Sequence, residues 1–206
     1  CRFNPWHIIC AKLMEILFQG GITKSMSLGK CAFPVGKVKN LLPGKFYDFI
    51  GINYYTRSTV RGFKDGVRND RPVNDLGWEI YPEGIIKSSQ MLYNKYKAPI
   101  YITENGTCDN LDLFRAKYIY DHLKEISKSS LPIRRYYHWC FTDNFEWIEG
   151  ESARFGVVHT DYETQSRTIK QSGNFLSSVI AEKGVSDDIF NKFVSMQNYN
   201  YMRKSK

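Results

Sequence analysis

Residues 99–106 read Pro99-Ile-Tyr-Ile-Thr-Glu-Asn-Gly106, a short apolar run that ends in a carboxylate and an Asn-Gly turn. The first five positions suit a buried strand. Glu104 then stands where a last apolar residue would be expected. Taken alone, a Glu before Asn-Gly is ordinarily a solvated loop residue, so the surrounding chain has to decide its meaning.

Outward from this stretch the sequence alternates between two periods. Residues 4–19 carry Trp6, Ile9, Leu13, Ile16 and Leu17 at helical spacing, with Asn4 as cap, Pro5 in the first turn and Gly20-Gly21 as the expected stop. A strand follows at Tyr47-Asp-Phe-Ile-Gly-Ile-Asn-Tyr-Tyr55. Pro82 opens a helix through Ile85, Ile86, Ser89, Leu92, Tyr93 and Tyr96, which ends before Pro99 and the strand 99–103. Leu113, Ala116, Ile119, Tyr120, Leu123 and Ile126 predict a further helix, and residues 133–141 a third strand. Residues 155–170 read as two short strands around a polar turn, before a helix over 171–183. Strands separated by helices long enough to cross over imply a parallel sheet and an α/β fold.

Composition excludes several classes. A chain of 206 residues with 42% hydrophobic and 24% charged residues can bury a core, and a single domain over 1–206 is the expectation. No apolar run approaches the roughly 20 residues of a membrane helix, and the first residues lack a signal-peptide pattern, so a cytoplasmic location is expected. The five cysteines at 1, 10, 31, 108 and 140 form no metal-ligand spacing and read as reduced thiols. Neither a metal nor a cofactor is expected. The net charge of +8 raises nucleic acid as a partner. Arg57, Arg61, Lys64, Arg68 and Arg71 make a basic loop, Arg134-Arg135 a pair, and 202–206 a basic end. None forms a stripe interleaved with aromatics, so neither nucleic acid nor membrane is expected as a partner.

Each of the three parallel strands ends in polar or aromatic groups, at Asn53-Tyr54-Tyr55, at Glu104-Asn105, and at Trp139 followed by Asp143-Asn144-Phe145-Glu146-Trp147. Ligands of parallel α/β folds bind at the carboxyl ends of strands. Asn53 and Tyr55 share a strand face, from which a phenol can donate to a neighbouring carboxylate, although a core Tyr with a satisfied hydroxyl has the same spacing. Carboxylates beside flat aromatic rings suit a sugar, whose C–H face stacks on an indole while paired hydroxyls donate to a carboxylate. Trp139 and Trp147 are equally compatible with ordinary core aromatics.

Five segments now carry a resemblance to glycoside hydrolase family 1, the β-glucosidase and β-galactosidase family: DFIGINYYT (48–56), YITENG (101–106), HWCFTDNFEW (138–147), RFGVVHTDYET (154–164) and RTIKQSG (167–173). The resemblance spans roughly residues 45–180 and implies a partial (β/α)8 TIM barrel covering about strands six to eight. It implies Glu104 as nucleophile, Tyr55 as its contact, Asn53 in the same site, Trp139 as the platform under the sugar, Glu146 as the hydroxyl-clamping carboxylate and Trp147 as its donor neighbour. Phe155 stands where members acting on 6-phospho-sugars carry a Tyr. The family's acid/base Glu sits in an Asn-Glu-Pro motif that does not occur here, and strands one to five are missing. Two readings follow from the resemblance. One is a retaining glycosidase acting on unphosphorylated β-glucosides or β-galactosides when an N-terminal half is supplied, and the other is a non-catalytic remnant or binding module.

Overall fold

The computed structural model describes residues 4–31, 33, 35, 36, 38–68 and 70–201. Cys1 and the basic end at 202–206 lie outside them. The chain forms two compact units, one from residues up to 49 together with 58–67, the other from 50–57 together with 68 onward.

In the smaller unit, Asn4 caps helix α1 (Pro5–Glu15), its side-chain oxygen accepting from Trp6 N at 2.9 Å. The expected stop at Gly20-Gly21 is overturned. The chain runs through one π-helical stretch (Ile16–Gly20) into α2 (Gly21–Leu28) and ends at Gly29, which has the left-handed φ of +61°. Both inner glycines keep right-handed helical angles, so their lack of a side chain weakens the helix without ending it. The region read as a basic loop contains an antiparallel hairpin, β2 (Thr59–Arg61) with β3 (Lys64–Gly66), turning at Gly62 with φ +65°. Its turn is held to α1 by Gly62 N donating to His7 Nδ1 at 2.8 Å and by an edge-on Trp6–Phe63 contact.

The larger unit contains a parallel three-stranded sheet of β1 (Ile50–Asn53), β5 (Ile100–Asn105) and β6 (Ile133–His138), in that spatial order. Helix α3 (Glu83–Tyr96) connects β1 to β5 and α4 (Arg115–Ser127) connects β5 to β6, as the alternating periods require. A two-stranded ribbon of β4 (Pro72–Val73) and β9 (Asn200–Tyr201), a hairpin of β7 (Val158–Thr160) and β8 (Arg167–Ile169), and helices α5 (Gln171–Glu182) and α6 (Asp187–Phe193) complete the unit. The fold is α/β, and no described helix is long and apolar enough to cross a membrane.

Ile100 and Ile102 are fully buried on one sheet face, and Ile85 of α3 and Ile119 of α4 are equally buried. A larger apolar cluster joins Ala116 and Ile119 of α4 to Phe175 of α5, Ile189 and Phe193 of α6, and Val157 and Val158. Arg115, fully buried at the start of α4, donates to Asp112 at 2.5 Å and to the carbonyls of Asp109 and Arg154 at 2.6 and 2.7 Å. Asp112 in turn accepts from Ser172 N of α5 at 2.9 Å. A buried charge is tolerated when paired and hydrogen-bonded in this way, and here it ties the loop after β5 to α4 and α5.

Two histidines in this unit contribute to its acid response. Burial lowers His122 to about 4 and His138 to about 3, the latter further opposed by the Arg115 charge. Each binds protons more readily in the unfolded chain, so the stability its neutral ring contributes is complete above about pH 6.5 and drains as pH falls towards the folded-state values. His122, with no exposed surface, accounts for about 3 kcal/mol across that window. Urea midpoints measured between pH 7 and 4 will therefore fall steadily below pH 6.5. A flat profile would contradict this account.

Candidate functional site

The position of Glu104 follows from a register slip. Ile52 pairs with Ile102, but Asn53 pairs with Glu104, so Thr103 is an extra residue in β5. Thr103 and Asn53 share a face, because the Thr103 hydroxyl donates to Asn53 Oδ1 at 2.7 Å. Glu104 faces the same way, since Tyr55 donates to its Oε2 at 2.7 Å. Without the bulge, strict alternation would turn Glu104 towards the helices. The slip also sends Asn105 inward. Its amide donates to the Tyr54 carbonyl at 2.7 Å and accepts from Tyr136 at 2.9 Å, tying together the ends of all three parallel strands.

Tyr55 is held as a phenol. Burial pushes its pKa upward, and its bond to Glu104 adds in the same direction, so it stays a donor through the working range of pH. Its ring is fixed edge-on by Trp78 at 6.2 Å and Phe155 at 6.3 Å, and Tyr118 donates to its carbonyl at 3.0 Å. Phe155 is 3% exposed and sits in an apolar cluster with Cys108, Cys140 and Ala153, so in this structure it supports Tyr55 from below.

Beyond β6 the chain bends into the segment that carries the second carboxylate. Trp139 N donates to the Asn105 carbonyl at 2.9 Å, and the Trp139–Cys140 peptide is cis. The Trp139 carbonyl lies so close to Gly106 that any β-carbon there would overlap it, which explains glycine after Glu104-Asn105. The Trp139 indole donates to Glu146 Oε1 at 3.1 Å, and the Asn144 amide donates to the same oxygen at 3.0 Å. Burial raises the Glu146 pKa, the two donors oppose that rise, and the charges of Glu104 and Asp143 reinforce it.

Asp143, 3% exposed, fixes the root of this segment. Its Oδ1 accepts from Gly156 N and Lys170 Nζ, both at 2.9 Å, while Arg154 and His159 approach Oδ2 at 3.5 and 3.4 Å. Trp147 begins a short 3₁₀ turn (Trp147–Glu149) with φ +52° and is 83% exposed. Asn53, Tyr55, Glu104, Trp139 and Glu146 are thus brought together at the carboxyl ends of the strands, with Phe155 packed against Tyr55, whereas Trp147 is largely exposed. Thr103, Asn105, Asp143, Asn144 and Trp78 also build the arrangement and received no role from the sequence. Their signal was proximity to the motif carboxylates, which does not distinguish a supporting amide from a loop residue. Among the described residues no group of three His, Cys, Asp or Glu side chains is arranged to hold a metal.

Comparison with known proteins places this geometry in context. The model of glycosyl hydrolase family 1 matches residues 33–185. The β-glucosidase A of Thermotoga maritima is 38% identical over 159 residues, covering 68% of this chain and 36% of its own length. A β-galactosidase of Pyrococcus woesei is 35% identical over 170 residues, covering 69% of this chain and 33% of its own. The solved β-glycosidase of Pyrococcus horikoshii superposes with a TM-score of 0.79 at 27% identity, over 95% of this chain and 49% of that one. The chain spans about a third of the length of these curated relatives. Over the part that it spans, it belongs to glycosyl hydrolase family 1.

Proposed function

We propose that residues 1–206 correspond to the C-terminal portion of a TIM-barrel glycosidase, about strands six to eight with their helices, and supply the nucleophile half of a retaining β-glycosidase site. The observation that carries this reading is the bulge in β5, which turns Glu104 onto the face of Tyr55 with one oxygen held at 2.7 Å. The other oxygen, Oε1, accepts no bond from a described side chain and is the one placed to attack an anomeric carbon. Attack forms a glycosyl ester at Glu104 with expulsion of the aglycone, and water then cleaves the ester with retention of configuration. Glu146 accepts from the sugar hydroxyls, Trp139 lies under the ring, Asn53 lines the same face, and Trp147 donates beside Glu146.

The proton for the departing aglycone must come from elsewhere, because the Asn-Glu-Pro acid/base motif is absent from this sequence. The partner in this reading is an N-terminal half that provides the remaining strands. β1 and β6 each pair with only β5 in the described sheet, and an open parallel edge is a surface for a further strand.

The substrate class is unphosphorylated β-glucosides or β-galactosides. Glu146 would oppose a 6-phosphate by several kcal/mol of like-charge repulsion in a water-poor site. The test is to co-express this chain with the N-terminal part of the Thermotoga maritima β-glucosidase A and compare aryl β-glucosides with their 6-phosphates. The expected result is turnover of the plain glycosides, and a preference for the phosphorylated ones would overturn the assignment. The alternative, a non-catalytic remnant, is favoured by the missing acid/base and predicts no turnover of either.

A further inference from the structure

Glu146 uses its two oxygens unequally. Oε1 receives both the Trp139 indole at 3.1 Å and the Asn144 amide at 3.0 Å, whereas no described residue donates to Oε2. The carboxylate can only accept, so the nitrogen of the Asn144 amide must face it. That nitrogen carries two hydrogens. Its second contact is the Cys140 sulfur at 3.1 Å, so both hydrogens are committed.

Cys140 completes the chain. Its thiol donates to the Thr142 carbonyl at 3.0 Å and its sulfur accepts from Asn144, so both its hydrogen and a lone pair are engaged within the segment. Burial, with Glu146 nearby, pushes the thiol up to about 12, which keeps the hydrogen on sulfur at any working pH. Tyr162 donates to the Asn144 carbonyl at 2.9 Å, which pins the backbone of the same residue.

We propose that Cys140 and Asn144 are positioning residues that fix the rotamer of Glu146, holding Oε1 against Trp139 and turning Oε2 towards the ligand hydroxyls. The role of Oε2 rests on the glycosidase reading above, whereas the control of Glu146 by Asn144 does not. Without the amide, Trp139 alone holds Oε1, the carboxylate turns freely about that bond, and a ligand hydroxyl meets either oxygen. The groups whose charge or dipole acts on Glu146 are Glu104 of β5, Tyr55 beyond β1, and Trp139, Cys140, Asp143 and Asn144 from its own segment, of which Trp139 and Asn144 touch it. Only Trp139 and Asn144 donate to it, so removing Asn144 removes half of its hydrogen bonding.

The test uses the full chain labelled with nitrogen-15. The Trp139 indole N–H, identified by the resonance lost in Trp139→Phe, reports the protonation of Glu146 through the bond between them. Asn144→Leu should raise the midpoint of that titration by about half to one pH unit, because a donor to the charged form is lost. Asn144→Asp keeps the shape, removes the donor and adds a like charge, and should raise the midpoint further. Cys140→Val should move it upward by a smaller amount, whereas Cys140→Ser, which preserves one donor and one acceptor, should return it to the parent value. A role in packing alone would alter thermal stability and leave the midpoint in place. An unmoved midpoint in Asn144→Asp, or equal midpoints in Cys140→Val and Cys140→Ser, would overturn the proposal. No sugar enters this titration, so its outcome is independent of whether the chain supports hydrolysis.

Discussion

If Glu104 is the proposed nucleophile, Glu104→Gln is expected to lower turnover by about 10³-fold or more in any active assembly that contains this chain, with the circular dichroism of the protein unchanged. The amide is nearly the same size as the carboxylate and can still accept from Tyr55 Oη, so the bulge and the strand ends keep their geometry. In the proposed reading what disappears is the nucleophile, since a neutral amide oxygen does not form the glycosyl ester. Tyr55→Phe is milder, because it removes one hydrogen bond and no covalent step. A 2-deoxy-2-fluoro glucoside with a good leaving group adds a direct observation. It needs no proton from the acid/base, and the adduct it leaves is expected on the peptide containing Glu104. More than a few per cent of activity in Glu104→Gln, or an adduct on Glu146 instead, would remove Glu104 from this role.

The candidate site was legible in outline in the sequence because its strands and helices have distinct periods. α3, α4 and α5 lie where the apolar spacing places them, and β5 and β6 begin where the strands were expected. Asn53 and Tyr55 do share a face, as period-two alternation requires. The β5 bulge was not legible, because a one-residue register slip leaves no compositional trace and depends on how Thr103 and Asn105 satisfy their neighbours across two strands. Gly20-Gly21 misled for a related reason. Glycine permits a left-handed stop without enforcing one, and the apolar pattern continues through Ile22 and Met26 to Gly29, where the positive φ occurs. α6 carried a cap at Ser186 with Asp187 and Asp188 in its first turn, yet at seven residues it gives too few apolar repeats to stand out. β4 and β9, at two residues each, have no period at all. The supporting amides of Asn105 and Asn144 became visible only once distances showed what each one touches.

The second large effect concerns the chain by itself. Protonation of the departing alkoxide by a positioned acid is worth roughly 10²–10⁴ in rate, and this sequence lacks the motif that would supply it. In the proposed reading the three parallel strands described here are also too few to close an eight-stranded barrel, so residues 1–206 taken alone would lack the sugar contacts of the remaining strands. Both losses fall on the same reaction, and together they leave Glu104 facing a substrate that is poorly held and has no proton for its leaving group. The most direct measurement is therefore to purify residues 1–206 alone and assay an aryl β-glucoside whose leaving group requires protonation, with size-exclusion chromatography in parallel. The expected result is no turnover above the uncatalysed rate, together with self-association through the open strand edges. A monomer turning over at about 1–10³ s⁻¹, the range of ordinary enzymes, would contradict it, because the chain would then contain its own acid and a self-sufficient site.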